Sequence, residues 1–142
     1  MSRRAVIVDT HVVVAGLLTG NAASPVARIL DGMLAATFPF VVSAALLAEY
    51  RTVLVRPALR KLHGLTVAEV EALLTDIAQH AIVLVPMAVH AAPPAPDLGD
   101  QLLWDLLAAR ADLLLVTGDK ALLADRGMRS RVVTPLSFVE SG

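Results

Sequence analysis

Ala5-Val6-Ile7-Val8-Asp9-Thr10 is a short apolar run, β-branched through its centre and closed by an acid and a hydroxyl. Such a run, bounded by polar residues, predicts a fully buried strand over Val6–Val8. Similar runs recur at Phe38 to Val42, at Ile82 to Val85 (stopped by Pro86), at Leu113 to Val116 and at Val132-Val133. Helical patterns lie between them. Ser24-Pro25 reads as an N-cap with proline at the first helical position, and Val26, Ile29, Leu30 and Met33 then share one face. Ser43 is placed to cap a helix whose apolar stripe is Leu46, Leu47, Tyr50, Val53 and Leu54, ended or kinked by Arg56-Pro57. Thr66-Val67-Ala68-Glu69 has the capping-box pattern, ahead of Val70, Leu73, Leu74, Ile77 and Ala78. Asp97 to Asp100 opens a helix with Leu102, Leu103, Leu106 and Leu107 inward, and Lys120 to Asp125 is a short helix.

Strand runs that are continuously apolar and alternate with helices predict a parallel sheet covered on both faces, an α/β/α three-layer sandwich. Right-handed crossovers put the carboxyl ends of such strands along one edge. Ligands of open α/β sheets bind at that edge, where strand order reverses. With 142 residues, the chain is expected to form one domain over 1–142 with a sizeable core. The only linker-like piece, Ala91 to Pro96, is too short to separate two domains.

The chain has no cysteine, which excludes a disulfide scaffold, thiolate metal sites and a thiol nucleophile, and fits a reducing compartment. A net charge of −1 implies no broad electrostatic grip on nucleic acid. A nucleic-acid substrate would have to be held by a local basic patch or by bound metal. Ile77 to Pro96 carries no charge but contains Gln79, His80, His90 and several prolines, so it does not read as one membrane helix. Arg3-Arg4 with four apolar residues before Asp9 is too short for a signal peptide, and the reading is cytoplasmic. The apolar share of 56% points either to a partner-covered surface or to an Ala/Leu-biased composition.

Four acids stand where such an edge would gather them. Asp9 and Asp119 each follow a strand, Glu49 borders the stripe of its helix, and Asp100 directly precedes Gln101-Leu102-Leu103. Two like charges 4 Å apart repel by roughly 4 kcal/mol at an effective dielectric near 20. Carboxylates brought into one cleft therefore take up protons or bind a cation. Oxygen-only donors select Mg²⁺ or Mn²⁺, and His11, His63, His80 and His90 lack the close spacing of a zinc site. Each acid alone has an ordinary alternative: a turn for Thr117-Gly118-Asp119, an N-cap for Asp97, a solvated helix position for Glu49.

Taken together, Val8-Asp9-Thr10-His11-Val12, Ser43 with Glu49-Tyr50, Asp97-Leu98-Gly99-Asp100 and Val116-Thr117-Gly118-Asp119 resemble the four acidic motifs of PIN-domain ribonucleases. The resemblance runs from Ala5 to Phe138. It is strongest to the VapC-like toxins of type II toxin–antitoxin systems, and Glu49 to Pro57 is similar to one subgroup of PIN toxins. It implies Mg²⁺- or Mn²⁺-dependent cleavage of single-stranded RNA, a cognate antitoxin and a homodimer. It implies Asp9, Glu49, Asp100 and Asp119 as catalytic metal ligands, with Thr10, Ser43, Asp97 and Thr117 in support. Family members often carry asparagine where this chain has His11.

Arg51 and Arg56, with Arg60 and Lys61, follow Glu49 and are placed to contact RNA phosphates, or else form a solvated helix face. His11 suits a structural role or a hydrogen bond near the cleft, and Trp104 suits burial in a core or interface. Three functions compete. The first is a metal-dependent endoribonuclease. The second is the same fold without turnover, binding RNA or serving as a scaffold. The third is a phosphotransfer or receiver-like domain, which would need a second acid two residues after Asp9, where His11 stands, or paired N-terminal acids.

Overall fold

Val6–Val8 forms β1, buried along its whole length. In the computed structural model, residues 4–87 and 92–141 are described; Arg3, His90 and Ala91, noted above, lie outside them. β2 is Val41–Val42, β3 is Ile82–Val83, β4 is Leu114–Val116 and β5 is Val132–Val133. β1 runs parallel to β4 with Ile7 opposite Leu115, and β4 runs parallel to β5 with Val116 opposite Val133. β2 and β3 pair in parallel, Val41 opposite Ile82. A parallel bridge between Val6 and Phe40, with the Val6 amide donating to the Pro39 carbonyl at 3.2 Å, joins this pair to β1. The spatial order is therefore β3-β2-β1-β4-β5, and it reverses between β1 and β4.

The helices are α1 (Thr10–Leu18), α2 (Pro25–Ala35), α3 (Ala44–Leu54), α4 (Pro57–His63), α5 (Val67–His80), α6 (Gln101–Ala109), α7 (Lys120–Ala124) and α8 (Pro135–Ser141). Their starts follow the expected chemistry. Ser24 accepts from the Ala27 amide with Pro25 at the first position, and Ser43 accepts from the Leu46 amide. Thr66 and Glu69 exchange both bonds of a capping box. Gly16 lets α1 approach α2, since a Cβ there would meet the Val26 carbonyl oxygen at 2.6 Å. With α6 packed on β1 and β4, the arrangement is the expected α/β sandwich around a parallel sheet.

The structure differs from the sequence reading in four places. α1 was not expected, because Thr10 and Val12-Val13-Val14 are β-branched and extend the strand pattern. Asp9 caps a helix there instead. α4 begins at Pro57, so that proline opens a new helix rather than only closing α3. α8 was likewise not expected. The second and third strands are shorter than their apolar runs, and β3 is exposed because it is the sheet's outer strand. No helix among the described residues is long and apolar enough to cross a membrane.

Candidate functional site

The sheet edge at the β1/β4 reversal is built around Asp9. Its backbone is extended, its amide donates to the Val116 carbonyl at 3.0 Å, and its side chain is almost wholly buried. Oδ1 accepts the Thr10 amide at 2.7 Å. Oδ2 accepts the Thr117 hydroxyl at 2.7 Å and faces His11 Nδ1 at 3.3 Å. The Thr117 hydroxyl also accepts the Asp119 amide at 3.1 Å, so one buried oxygen ties two of the acids together. Asp119 itself caps α7, its Oδ1 accepting the Ala121 amide at 2.9 Å.

Glu49 arrives from α3. The Thr10 hydroxyl donates to Glu49 Oε2, and the neighbouring Tyr50 hydroxyl donates to the Val8 carbonyl. Burial first, then the Asp9 and Glu49 charges, push the Tyr50 hydroxyl far up, so it remains a donor. Ser43, buried, is occupied in capping α3 and so fixes the helix that carries Glu49.

Asp100 sits where a short 3₁₀ turn (Leu98–Asp100) meets α6. Its carboxyl is pushed up to about 6, by burial first and then by the charges of Asp9, Asp119, Asp97 and Glu49. Asp100 therefore lies within electrostatic reach of the other three acids of the quartet. Asp97 spends Oδ1 on the Gly99 amide at 2.8 Å, capping the 3₁₀ turn, the N-cap role that was its ordinary alternative.

No arginine or lysine forms an ion pair with Asp9, Glu49, Asp100 or Asp119 among the described residues; Arg51 pairs with Glu71 and Arg110 with Asp112. Among the described residues, His11 is the only nitrogen base in ion-pair range of any of the four. The hydrogen bond to Asp9, followed by the charges of Asp9, Asp119 and Asp100, raises its pKa against the opposing effect of burial.

The PIN domain family model matches residues 5–121, a span that holds all four acids. The chain belongs to the PIN-domain family. PIN domains are generally nucleases and typically use divalent metals. No curated protein matches the chain.

The donor set of this PIN domain suits a hard cation, being oxygen-rich and short of positive charge. A carboxylate oxygen accepts about two hydrogen bonds. Asp9 Oδ2 already has two donors facing it, and Oδ1 has one, which leaves Oδ1 with a lone pair for a cation. Among the described residues, no three acidic or histidine side chains stand close enough together to chelate an ion. The chemistry fits, and the present side-chain positions stop short of a closed site.

Of the residues expected in support, Thr10 and Thr117 touch the acids directly, Ser43 acts through α3, and Asp97 serves its own turn. Of the two expected RNA contacts, Arg51 is committed to Glu71 on α5, while Arg56 is exposed at the start of α4. Trp104 is fully buried, and its Nε1 has no hydrogen-bond partner among the described residues. The sequence reading did not find the Tyr50 hydroxyl's role or the Gly118–His11 contact. Both depend on segments far apart in sequence. Only the adjacency of Tyr50 to Glu49 and of Gly118 to Asp119 hinted at either.

Proposed function

We propose that the chain is a Mg²⁺- or Mn²⁺-dependent endoribonuclease that cleaves single-stranded RNA, acting as the toxin of a toxin–antitoxin pair. One observation carries the reading: Asp100, whose carboxylate has no hydrogen-bond partner among the described residues, feels the charges of the three other acids, and among those residues no lysine or arginine is paired to any of the four. Uncompensated charge of this kind is stabilised by a cation or by protons. Asp9, Glu49, Asp100 and Asp119 would hold the ion. Bound there, the ion supplies a water of lowered pKa and neutralises charge on the phosphate. Thr117 and Thr10 hold the carboxylates of Asp9 and Glu49 in fixed directions. Arg56 would meet RNA phosphates beside the cleft.

The rest of the reading follows the family resemblance: the whole chain, 1–142, as one cytoplasmic PIN-like unit, a homodimer, with a cognate antitoxin. An apolar hollow of about 150 Å³ supports the antitoxin. It lies between the start of α3 and Leu84, Val85, Pro86, Leu102 and Asp105, and Val85, Met87 and Leu98 are exposed. An apolar side chain of a peptide laid beside the cleft would fit it.

A second reading has one observation in its favour: among the described residues, no three chelating side chains stand within reach of one ion. It is an RNA-binding or scaffolding PIN fold without turnover. Incubating a generic single-stranded RNA with the protein and Mn²⁺ separates the two. Cleavage that disappears in Asp9→Asn supports the nuclease, and retention of RNA without cleavage supports the silent binder. Growth arrest on expression, relieved by the product of an adjacent gene, tests the toxin role.

A further inference from the structure

His11 makes two contacts that the chemistry of the quartet does not need by itself. Nδ1 lies 3.3 Å from Asp9 Oδ2, and Nε2 accepts the Gly118 amide at 2.9 Å. Neutral imidazole has one donor nitrogen and one acceptor nitrogen. Because Gly118 N–H points at Nε2, the lone pair is on Nε2 and the proton is on Nδ1, the nitrogen that lies 3.3 Å from Asp9 Oδ2. The ring therefore spans two separate parts of the site: the end of β1 with Asp9, and the turn after β4 that carries Thr117 and Asp119. The turn is shaped to receive the ring, since a Cβ at Gly118 would come within 3.3 Å of Nε2.

We propose that His11 is a positioning residue that locks Asp9 to the Thr117–Asp119 turn and, through this fixed tautomer, keeps its own nitrogens out of the cation's coordination shell. The inference rests on the reading of the cleft as a cation site, and it deepens that reading in two ways. First, it explains how a half-exposed histidine (side chain 50% accessible) sits among acids without being a ligand. Both nitrogens are already used, so the ion meets oxygen donors only and the site keeps its preference for hard cations over zinc. Second, it assigns Asp9 Oδ2 wholly to protein donors, Thr117 and His11. Asp9 then offers the ion one oxygen, Oδ1. Outer donors of this kind orient ligands, and their removal typically weakens metal affinity about 10- to 100-fold.

Two shorter side chains divide the contacts. Asparagine places an amide near Nδ1 and reaches Asp9 but not Gly118. Glutamine places one near Nε2 and reaches Gly118. The test uses ¹⁵N-labelled whole protein at pH 8, metal-free and with Mg²⁺, together with Mn²⁺ affinity by calorimetry. The expected results are imidazole nitrogen shifts of the Nδ1–H tautomer that persist when Mg²⁺ is added, and a slowly exchanging Gly118 amide. His11→Ala should speed Gly118 exchange and weaken Mn²⁺ binding about 10- to 100-fold. His11→Asn should recover part of the affinity while Gly118 still exchanges fast, and His11→Gln should slow Gly118 again.

An Nε2–H tautomer, a shift to the value of a metal-bound nitrogen, or a His11→Ala variant with unchanged Gly118 exchange and unchanged affinity overturns the proposal. If His11→Ala does not fold, Gly118→Ala crowds the intact ring and should weaken Mn²⁺ binding in its place; undiminished binding counts against the clamp. If the native chain binds no Mn²⁺, the cation reading fails by itself, and the tautomer and the Gly118 amide still decide whether the clamp exists.

Discussion

The Thr117 hydroxyl donates to Asp9 Oδ2 at 2.7 Å, joining residues 108 positions apart in the chain. The contact exists because β1 and β4 are parallel neighbours whose carboxyl ends coincide, with Val8 opposite Val116. The same hydroxyl accepts the Asp119 amide, so it is the shared support of two acids.

Thr117→Val keeps the shape and removes that support. A buried carboxylate oxygen loses a donor, and a hydrogen bond to a charged group contributes about 1.5–3 kcal/mol. The variant should lose about that much stability by urea unfolding, and Mn²⁺ binding should weaken with it. Thr117→Ser, which restores the hydroxyl, should recover most of both.

Asp100 makes a prediction about pH. Its folded carboxyl is pushed up to about 6, from an unfolded value of 3.8, by burial and then by the other acids. Between those values the folded state holds more protons than the unfolded one, so this group's contribution to stability falls as pH rises through the window. Its penalty is fully present above about 6 and gone below 3.8. Metal-free Asp100→Asn should therefore be more stable than the native chain at pH 7.5, and the difference should shrink by pH 5. In the native chain, Mn²⁺ competes with the proton and should bind more weakly as pH drops below about 6. Melting curves and calorimetric titrations at pH 5 and 7.5 check both.

Tyr50→Phe removes the donor to the Val8 carbonyl, the last backbone group before Asp9. The carbonyl is left buried without that partner, at a cost of about 1–3 kcal/mol. Because the same contact sets α3 against β1, Mn²⁺ affinity should fall although Tyr50 does not reach the ion. Denaturant midpoints with and without Mn²⁺ read both effects.

Much of this architecture was legible because local chemistry and the final structure agree. Ser24, Ser43 and Thr66 all cap the helices expected of them, and Val6–Val8 is the buried strand its side chains imply. What the chain hid was set by contacts between distant segments. Thr10 and Val12-Val13-Val14 favour a strand locally, yet they coil into α1 because Asp9 caps them and Val12 and Val13 bury against the core. Ile82-Val83 looks like a core strand and is the exposed edge, since strand order is not written in a single run. At the site, the order of the acids along the chain was visible, as was the ordinary capping role of Asp97. The pairing of Arg51 with Glu71 was not, because it joins α3 to α5.

That pairing bears on RNA binding. Arg51 and Glu71 are both about half exposed, so their bond contributes only about 0–1 kcal/mol. The bond is too weak to hold Arg51 away from RNA, but the adjacent Glu71 carboxylate offsets its charge, so Arg51→Ala should change RNA affinity less than Arg56→Ala. Arg56→Ala should weaken binding to all sequences alike and lower the slope of log affinity against log salt by about 1. Filter binding of an uncleavable RNA across a salt series separates the two arginines.

The most direct test is a calorimetric titration of Mn²⁺ into metal-free protein, comparing the native chain with Asp9→Asn and Asp97→Asn. A cation site formed by Asp9, Glu49, Asp100 and Asp119 requires saturable binding by the native chain. It also requires a loss of roughly tenfold or more in Asp9→Asn and a clearly smaller loss in Asp97→Asn, whose Oδ1 is taken by the Gly99 amide and whose charge only adds to the field at Asp100. An Asp9→Asn variant that binds Mn²⁺ as tightly as the native chain, or a native chain that takes up none, contradicts the account.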